Sequence, residues 1–148
     1  MDVDEFIVPE AKNTSIPDVL KNYEQYGGLA LNWLRFGTSG FNRRPPGGVL
    51  ESYTKCSLNN HVKTIANLAY TVGPQPNTHS FIYSAGTGSS GKQVQPYAVN
   101  VHGKKVERWL SDPPTSEVMV VRHYMMKSRE DFEKKLRRLV DLDLDFKA

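Results

Sequence analysis

A single cysteine, Cys56, in 148 residues excludes an internal disulfide framework and a zinc site built from several thiolates. Long apolar runs are missing as well: none approaches the ~20 residues that a helix needs to cross a bilayer. The first residues are acidic, unlike the basic-then-apolar order of a secretory leader. Charge of one sign is not in excess. The 19 basic and 16 acidic side chains leave a net +3 and a pI near 9.0, too little to demand nucleic acid but compatible with a phosphate-bearing ligand. A Ser/His/Asp arrangement, a phosphate-cradling P-loop and paired Cys/His zinc spacing are all lacking.

What remains, 39% hydrophobic and 24% charged, suits one globular domain with a modest core. Short β-prone runs mixed with two or three helical stretches predict an α/β or α+β layer architecture, a mixed sheet with flanking helices. The domain is expected to cover residues 1–140, followed by an acidic tail at 141–148. The cluster Asp2-Val3-Asp4-Glu5 runs directly into a strand-like segment. Such a cluster ordinarily leans on preceding structure, which predicts that an N-terminal part of the natural domain is absent.

Val3, Phe6, Ile7 and Val8 make a β-prone run closed by Pro9. On a regular strand Asp2 and Asp4 project to one side. Ser15 is placed to cap a helix of about three turns, with Pro17 and Asp18 in its first turn, Val19, Leu20, Tyr23 and Tyr26 as its apolar stripe, and Gly27-Gly28 as its stop. Leu29 to Phe36 reads as a buried strand, and residues 37–48 as a long irregular loop. Further strands are expected over 62–69, 79–83, 97–102 and 118–124. Ser128 and Asp131 have the spacing of a helix cap, and Phe132, Leu136, Leu139 and Val140 fall on one face of the last helix. Its opposite face, Glu133, Lys134, Lys135, Arg137 and Arg138, reads as solvated charge.

The D-x-D pair is the sharpest local signal. Two carboxylates at a strand end offer hard oxygen ligands to Mg²⁺ or Mn²⁺, and such a cation neutralises a diphosphate. Glycosyl transfer from a nucleotide sugar expels a diphosphate, so a metal that stabilises the growing charge lowers the barrier.

The motif keeps informative company. Asp2-Val-Asp-Glu-Phe-Ile-Val-Pro, Trp33-Leu-Arg-Phe-Gly-Thr-Ser-Gly, Lys63-Thr-Ile, His79-Ser-Phe and His123-Tyr-Met-Met-Lys-Ser-Arg-Glu-Asp-Phe-Glu-Lys follow one another in that order. This ordered set resembles the GT-A type glycosyltransferases of family 92 and the related family-2-like transferases, over Asp2 to about Arg138. The resemblance implies the C-terminal, metal- and acceptor-side portion of a GT-A domain, with the nucleotide-binding half upstream.

It further implies that Asp2 and Asp4 meet the metal and the nucleotide sugar, Asp4 more directly, and that His123 is a third ligand to Mn²⁺. Lys127 then pairs with diphosphate oxygens as a point charge. Trp33 can offer an apolar face to a sugar ring, Gly37 and Gly40 let backbone approach a ligand, and Arg43 and Arg44 can reach phosphate or acceptor. An inverting transfer needs a carboxylate base near the acceptor hydroxyl. Glu51, Glu5 and Asp112 are the candidates, and spacing singles out none of them.

The expected activity is hexosyl transfer, with a lean toward galactose, from a UDP-sugar to a glycan or glycoprotein. It would be metal-dependent, would take no nucleic acid, and would sit on the lumenal side of Golgi or other secretory membranes through an anchor upstream. The competing expectation is a non-catalytic glycan- or protein-binding module.

Overall fold

The computed structural model describes residues 1–76, 79–88 and 91–145, with side chains described as far as Arg138. In chain order the elements are β1 (Glu5–Pro9), α1 (Ile16–Leu20) with a 3-10 turn (Lys21–Tyr23), β2 (Tyr26–Phe36), α2 (Val49–Ser52), β3 (Cys56–Ala66), β4 (Thr71–Pro74), β5 (Phe81–Tyr83), β6 (Gly86–Thr87), β7 (Gln93–Val99), β8 (Lys105–Val106), β9 (Met119–His123) and α3 (Arg129–Asp145). Among the described residues the main sheet runs β1-β9-β2-β7-β6, with β3 also beside β2 and β8 beside β7. It is mixed: β2 and β7 pair in parallel, Leu29 opposite Val99, whereas β7 is antiparallel to β6 and β8. β4 and β5 form a separate antiparallel pair. This is a mixed sheet with few helices, in keeping with the α/β or α+β architecture expected from short strands mixed with two or three helical stretches.

The chain divides into two compact units. The first comprises Met1, Phe6–Leu34 and Leu58–Arg122, and the second Asp2–Glu5, Arg35–Ser57 and His123–Ala148.

The first unit holds the described apolar core. Val19, Leu29, Leu31, Val101, Met119 and Val121 pack together, with Ile7, Ile16, Trp33 and Ile65 partly buried against them. Each such aliphatic side chain taken out of water stabilises the fold by roughly 1.5–3 kcal/mol. α1 starts as expected: Ser15 Oγ accepts from the Asp18 amide, and Asp18 accepts in return from the Ser15 amide. It ends sooner than expected. Tyr26, Gly27 and Gly28, read as the end of the helix, belong to β2. The two glycines serve close packing rather than a helix stop, since a Cβ on Gly28 would lie 2.8 Å from both the Ile65 carbonyl oxygen and the Tyr83 hydroxyl.

Buried Asn32 organises the polar interior of this unit. Its Nδ2 donates toward the carbonyls of Asn59, Asn60 and Ser111, all at 3.3 Å, and its Oδ1 accepts from the Thr115 amide at 3.2 Å. A buried amide is tolerated because it is satisfied in this way.

In the second unit, Phe36 stacks on Tyr124 with centroids 4.2 Å apart, and Phe41 meets Tyr53 edge-on at 6.0 Å. Residues 37–48 form the irregular loop expected of them, held at their base where the Gly37 amide donates to the Lys55 carbonyl and Ser39 Oγ accepts from the amides of Thr54 and Lys55. Their middle caps α3. The Arg129 amide donates to the Phe41 carbonyl and the Glu130 amide to the Asn42 carbonyl, each at 3.0 Å, while Ser128 Oγ takes the Asp131 amide at 3.2 Å. The amides that open a helix have no partner within it, so a loop and a hydroxyl supply them here.

α3 continues to Asp145 through the acidic residues that read as a tail. Leu136, expected on its apolar face, is 46% exposed, and the side chains of Leu139 and Val140 lie outside those described.

Candidate functional site

β1 and β9 are neighbours in the sheet, and the Tyr124 amide donates to the Asp4 carbonyl at 2.9 Å. Within the second unit, the Tyr124–Asp4 bond brings residues near the start of the sequence against residues that follow β9. The acidic pair itself departs from expectation, because residues 2–5 form a turn closed by the Glu5 amide on the Asp2 carbonyl, ahead of the strand. The alternation of a strand therefore does not align the two carboxylates. Asp2 is exposed, whereas the Asp4 side chain is only 13% exposed.

Asp4 lies against the histidine of the late motif. Its Oδ1 is 3.6 Å from His123 Nε2, and the other imidazole nitrogen, Nδ1, is 3.7 Å from Glu5 Oε1. The Glu5 side chain is fully buried, and its Oε2 accepts from the Asp2 amide at 3.1 Å. Burial holds the His123 pKa below its ordinary value, outweighing the carboxylates of Glu5 and Asp4 that favour the charged form. A neutral ring keeps a lone pair for a ligand. Glu5 lies beside Nδ1 at a distance longer than a hydrogen bond, so its carboxylate acts on the ring through charge.

The side chains present fit half of a divalent site. Two ligands at right angles around Mg²⁺, each at ~2.1 Å, lie about 3 Å apart, so Asp4 Oδ1 and His123 Nε2 need to close by roughly half an ångström. Among the described residues no group of three or more His, Cys, Asp or Glu is arranged to hold a metal. The remaining positions would fall to water and ligand oxygens, as is usual where Mg²⁺ is bound with phosphates. A competitor is also present: Lys135 Nζ stands 3.5 Å from Asp4 Oδ2.

Asp2, Asp4, Arg44, Lys127, Lys134, Lys135 and Arg138 line one cleft of about 710 Å³ within this unit, together with Met125, Met126, Glu130 and Asp131. Two of its cations are committed. Arg44 makes two bonds to Asp131, at 2.6 and 3.3 Å, and Lys134 reaches Glu130 at 2.6 Å. The Arg44 bonds, helped by Ser128 Oγ, pull the Asp131 pKa down to about 2. Lys127 adopts a left-handed conformation with φ of 53°, strained for a residue other than glycine.

The cleft thus joins Asp2, Asp4, Arg44 and Lys127 of the predicted residues, with His123 against Asp4. Gly37 and Gly40 belong to the loop, Gly40 at a φ of 92°. Arg43 lies in a shallower groove beside Arg129, Glu130 and Glu133.

The three carboxylates considered as a base sit in different settings. Glu51 is exposed and takes the Gly48 amide, and Glu5 is enclosed behind the imidazole. Asp112 is exposed in the first unit.

Trp33 and His79 also belong to the first unit, where Trp33 stacks on His61 and tilts against His79, both at 5.5 Å. His79 Nδ1 lies 3.0 Å from the Val62 carbonyl. A larger cleft in that unit, about 840 Å³ and lined by Tyr23, Tyr26 and Tyr70 among others, contains none of the predicted residues.

Sequence reasoning missed Lys134, Lys135 and Arg138, which it read as solvated charge. The signal was their spacing: with Asp131 they recur at three, four and seven residues, which on a helix is a single face. Comparison of the chain with protein-family models, curated proteins and solved structures returns no match.

Proposed function

We propose that this chain is the metal- and acceptor-side portion of a GT-A type glycosyltransferase, which moves a hexosyl group from a nucleotide sugar to a glycan. The observation that carries this reading is the approach of Asp4 and His123, 3.6 Å apart, beside a cleft rich in Lys and Arg. The resemblance of the ordered motifs to family 92 supports a UDP-sugar donor, with a lean toward galactose, and a lumenal Golgi setting.

A divalent cation held by the Asp4 carboxylate and the His123 imidazole would offset the negative charge that grows on the departing diphosphate. The side chains of this chain have separate tasks. His123, kept neutral by burial, presents Nε2 toward Asp4, and Glu5 steadies the ring from behind. Lys127 and Arg138 offer positive charge to phosphate oxygens in the same cleft. Arg44, tied to Asp131, holds the loop that forms one wall. Glu5 is too enclosed to take a proton from an acceptor hydroxyl, and no base is assigned.

The test is UDP release from UDP-sugars with Mn²⁺, in the full-length protein and in its Asp4→Ala variant. Loss of one metal ligand is expected to lower turnover at least a hundredfold, on the order of 3 kcal/mol in transition-state stabilisation. Equal turnover in both removes the metal assignment. Calorimetry separates the competing reading: glycan uptake without metal-linked UDP binding identifies a binding module instead.

A further inference from the structure

We propose that Lys135 is an internal counter-ion of Asp4 that competes with the incoming divalent cation and so makes cation binding depend on a polyphosphate partner. The inference rests on the metal reading above and adds a regulation to it.

The Asp4 carboxylate is shared between two neighbours. Oδ1 faces His123 Nε2 at 3.6 Å and Oδ2 faces Lys135 Nζ at 3.5 Å. The lysine therefore stands against the carboxylate oxygen that does not face the imidazole. Asp4 is nearly enclosed, at 13% side-chain exposure, while Lys135 is 47% exposed and carries a flexible four-carbon stem. Of the pair, the lysine is the one free to move.

A divalent ion beside Asp4 would stand within a few ångströms of the ammonium, and like charges at that distance repel strongly. Lys135 must then leave, and its departure is unfavourable unless another anion receives it. The acids near it on α3 are already engaged, Glu130 by Lys134 and Asp131 by Arg44. A diphosphate in the same cleft supplies that anion. It would meet Lys127 and Arg138 as well as the displaced ammonium, since all three line the cavity.

The consequence is mutual. The cation frees Lys135 for the polyphosphate, and the polyphosphate stabilises the lysine position that leaves Asp4 open, so each tightens the other by the same factor. With neither present, the Lys135–Asp4 pair keeps the carboxylate neutralised and the site closed to a bare cation.

The experiment measures Mn²⁺ binding to the full-length protein by electron paramagnetic resonance, with and without inorganic pyrophosphate, correcting for the manganese–pyrophosphate complex. Wild type is expected to bind the bare ion weakly and to gain about tenfold with pyrophosphate, a coupling within the usual range. Lys135→Met should bind the bare ion several-fold more tightly and lose most of the gain. Lys135→Arg, which keeps the charge, should resemble wild type.

Unchanged or weaker binding of bare Mn²⁺ by Lys135→Met, with the pyrophosphate gain intact, overturns the inference while leaving the metal site standing. If wild type takes up no Mn²⁺ under either condition, or Asp4→Ala binds it equally well, the metal reading fails and the counter-ion role with it.

Discussion

Replacing Asp131 with alanine removes a carboxylate that acts on α3 and on the loop 37–48 at once. It accepts from Ser128 Oγ at 2.7 Å and from Arg44 at 2.6 and 3.3 Å, and it stands in the first turn of the helix. Ser128 Oγ still holds the Asp131 amide in the variant, so the cap is weakened rather than abolished. That part costs about 0.5–1 kcal/mol. The favourable placement of a negative charge at a helix start contributes a further 0.3–1 kcal/mol, roughly. Arg44 is 71% exposed, so its two bonds are screened by solvent and add little despite their geometry.

The expected loss is therefore on the order of 1–2 kcal/mol at pH 7, read as a lower midpoint in urea unfolding with an unchanged slope. The pH dependence has a definite sign. The folded pKa, about 2, lies below the unfolded value of 3.8, so the contribution is complete above the unfolded value and is lost as pH falls toward 2. The gap between wild type and variant should accordingly narrow in acid. A double-mutant cycle with Arg44→Ala isolates the ion pair, whose coupling should be small beside the loss of the cap. A variant as stable as wild type at pH 7, or a gap that widens in acid, refutes the reasoning.

Gly28→Ala should destabilise the first unit by about 1–3 kcal/mol, since the new methyl meets backbone oxygen of Ile65 as well as the Tyr83 hydroxyl, and thermal unfolding that matches wild type would show that the sheet gives way freely. His123, whose pKa is held low by burial, should make the fold lose stability as pH falls below the ordinary histidine value and through the lower folded one. His123→Gln should remove that component, so stability curves of the same shape between pH 5 and 8 for both proteins would contradict the assignment.

Local patterns made several features legible. Ser15 with Pro17 and Asp18 announces a helix start because capping chemistry is settled within one turn. Ser128 and Asp131 did the same for α3, and the apolar run from Leu29 to Phe36 specified a central strand. The resemblance of the ordered motifs carried the expectation that Asp4 and His123 act together, and the two lie 3.6 Å apart. Gly27-Gly28 misled, because a glycine pair reads alike whether it ends a helix or admits a neighbouring strand and ring. Only the packing of Ile65 and Tyr83 distinguishes the two.

Residue order alone therefore determined the mixed α/β architecture and the helix starts at Ser15 and Ser128, which depend on short-range propensity and periodicity, whereas His123 was singled out only by the resemblance of its motif. Tertiary structure decided which charges meet. The backbone bond from Tyr124 to Asp4 sets Asp4 beside His123, and a turn rather than a strand leaves Asp2 exposed. The face of α3 that carries Lys135 to within 3.5 Å of Asp4 could not be told from a solvated one in the sequence. A charged side chain has the same helical spacing in either case, and its role depends on a partner distant along the chain.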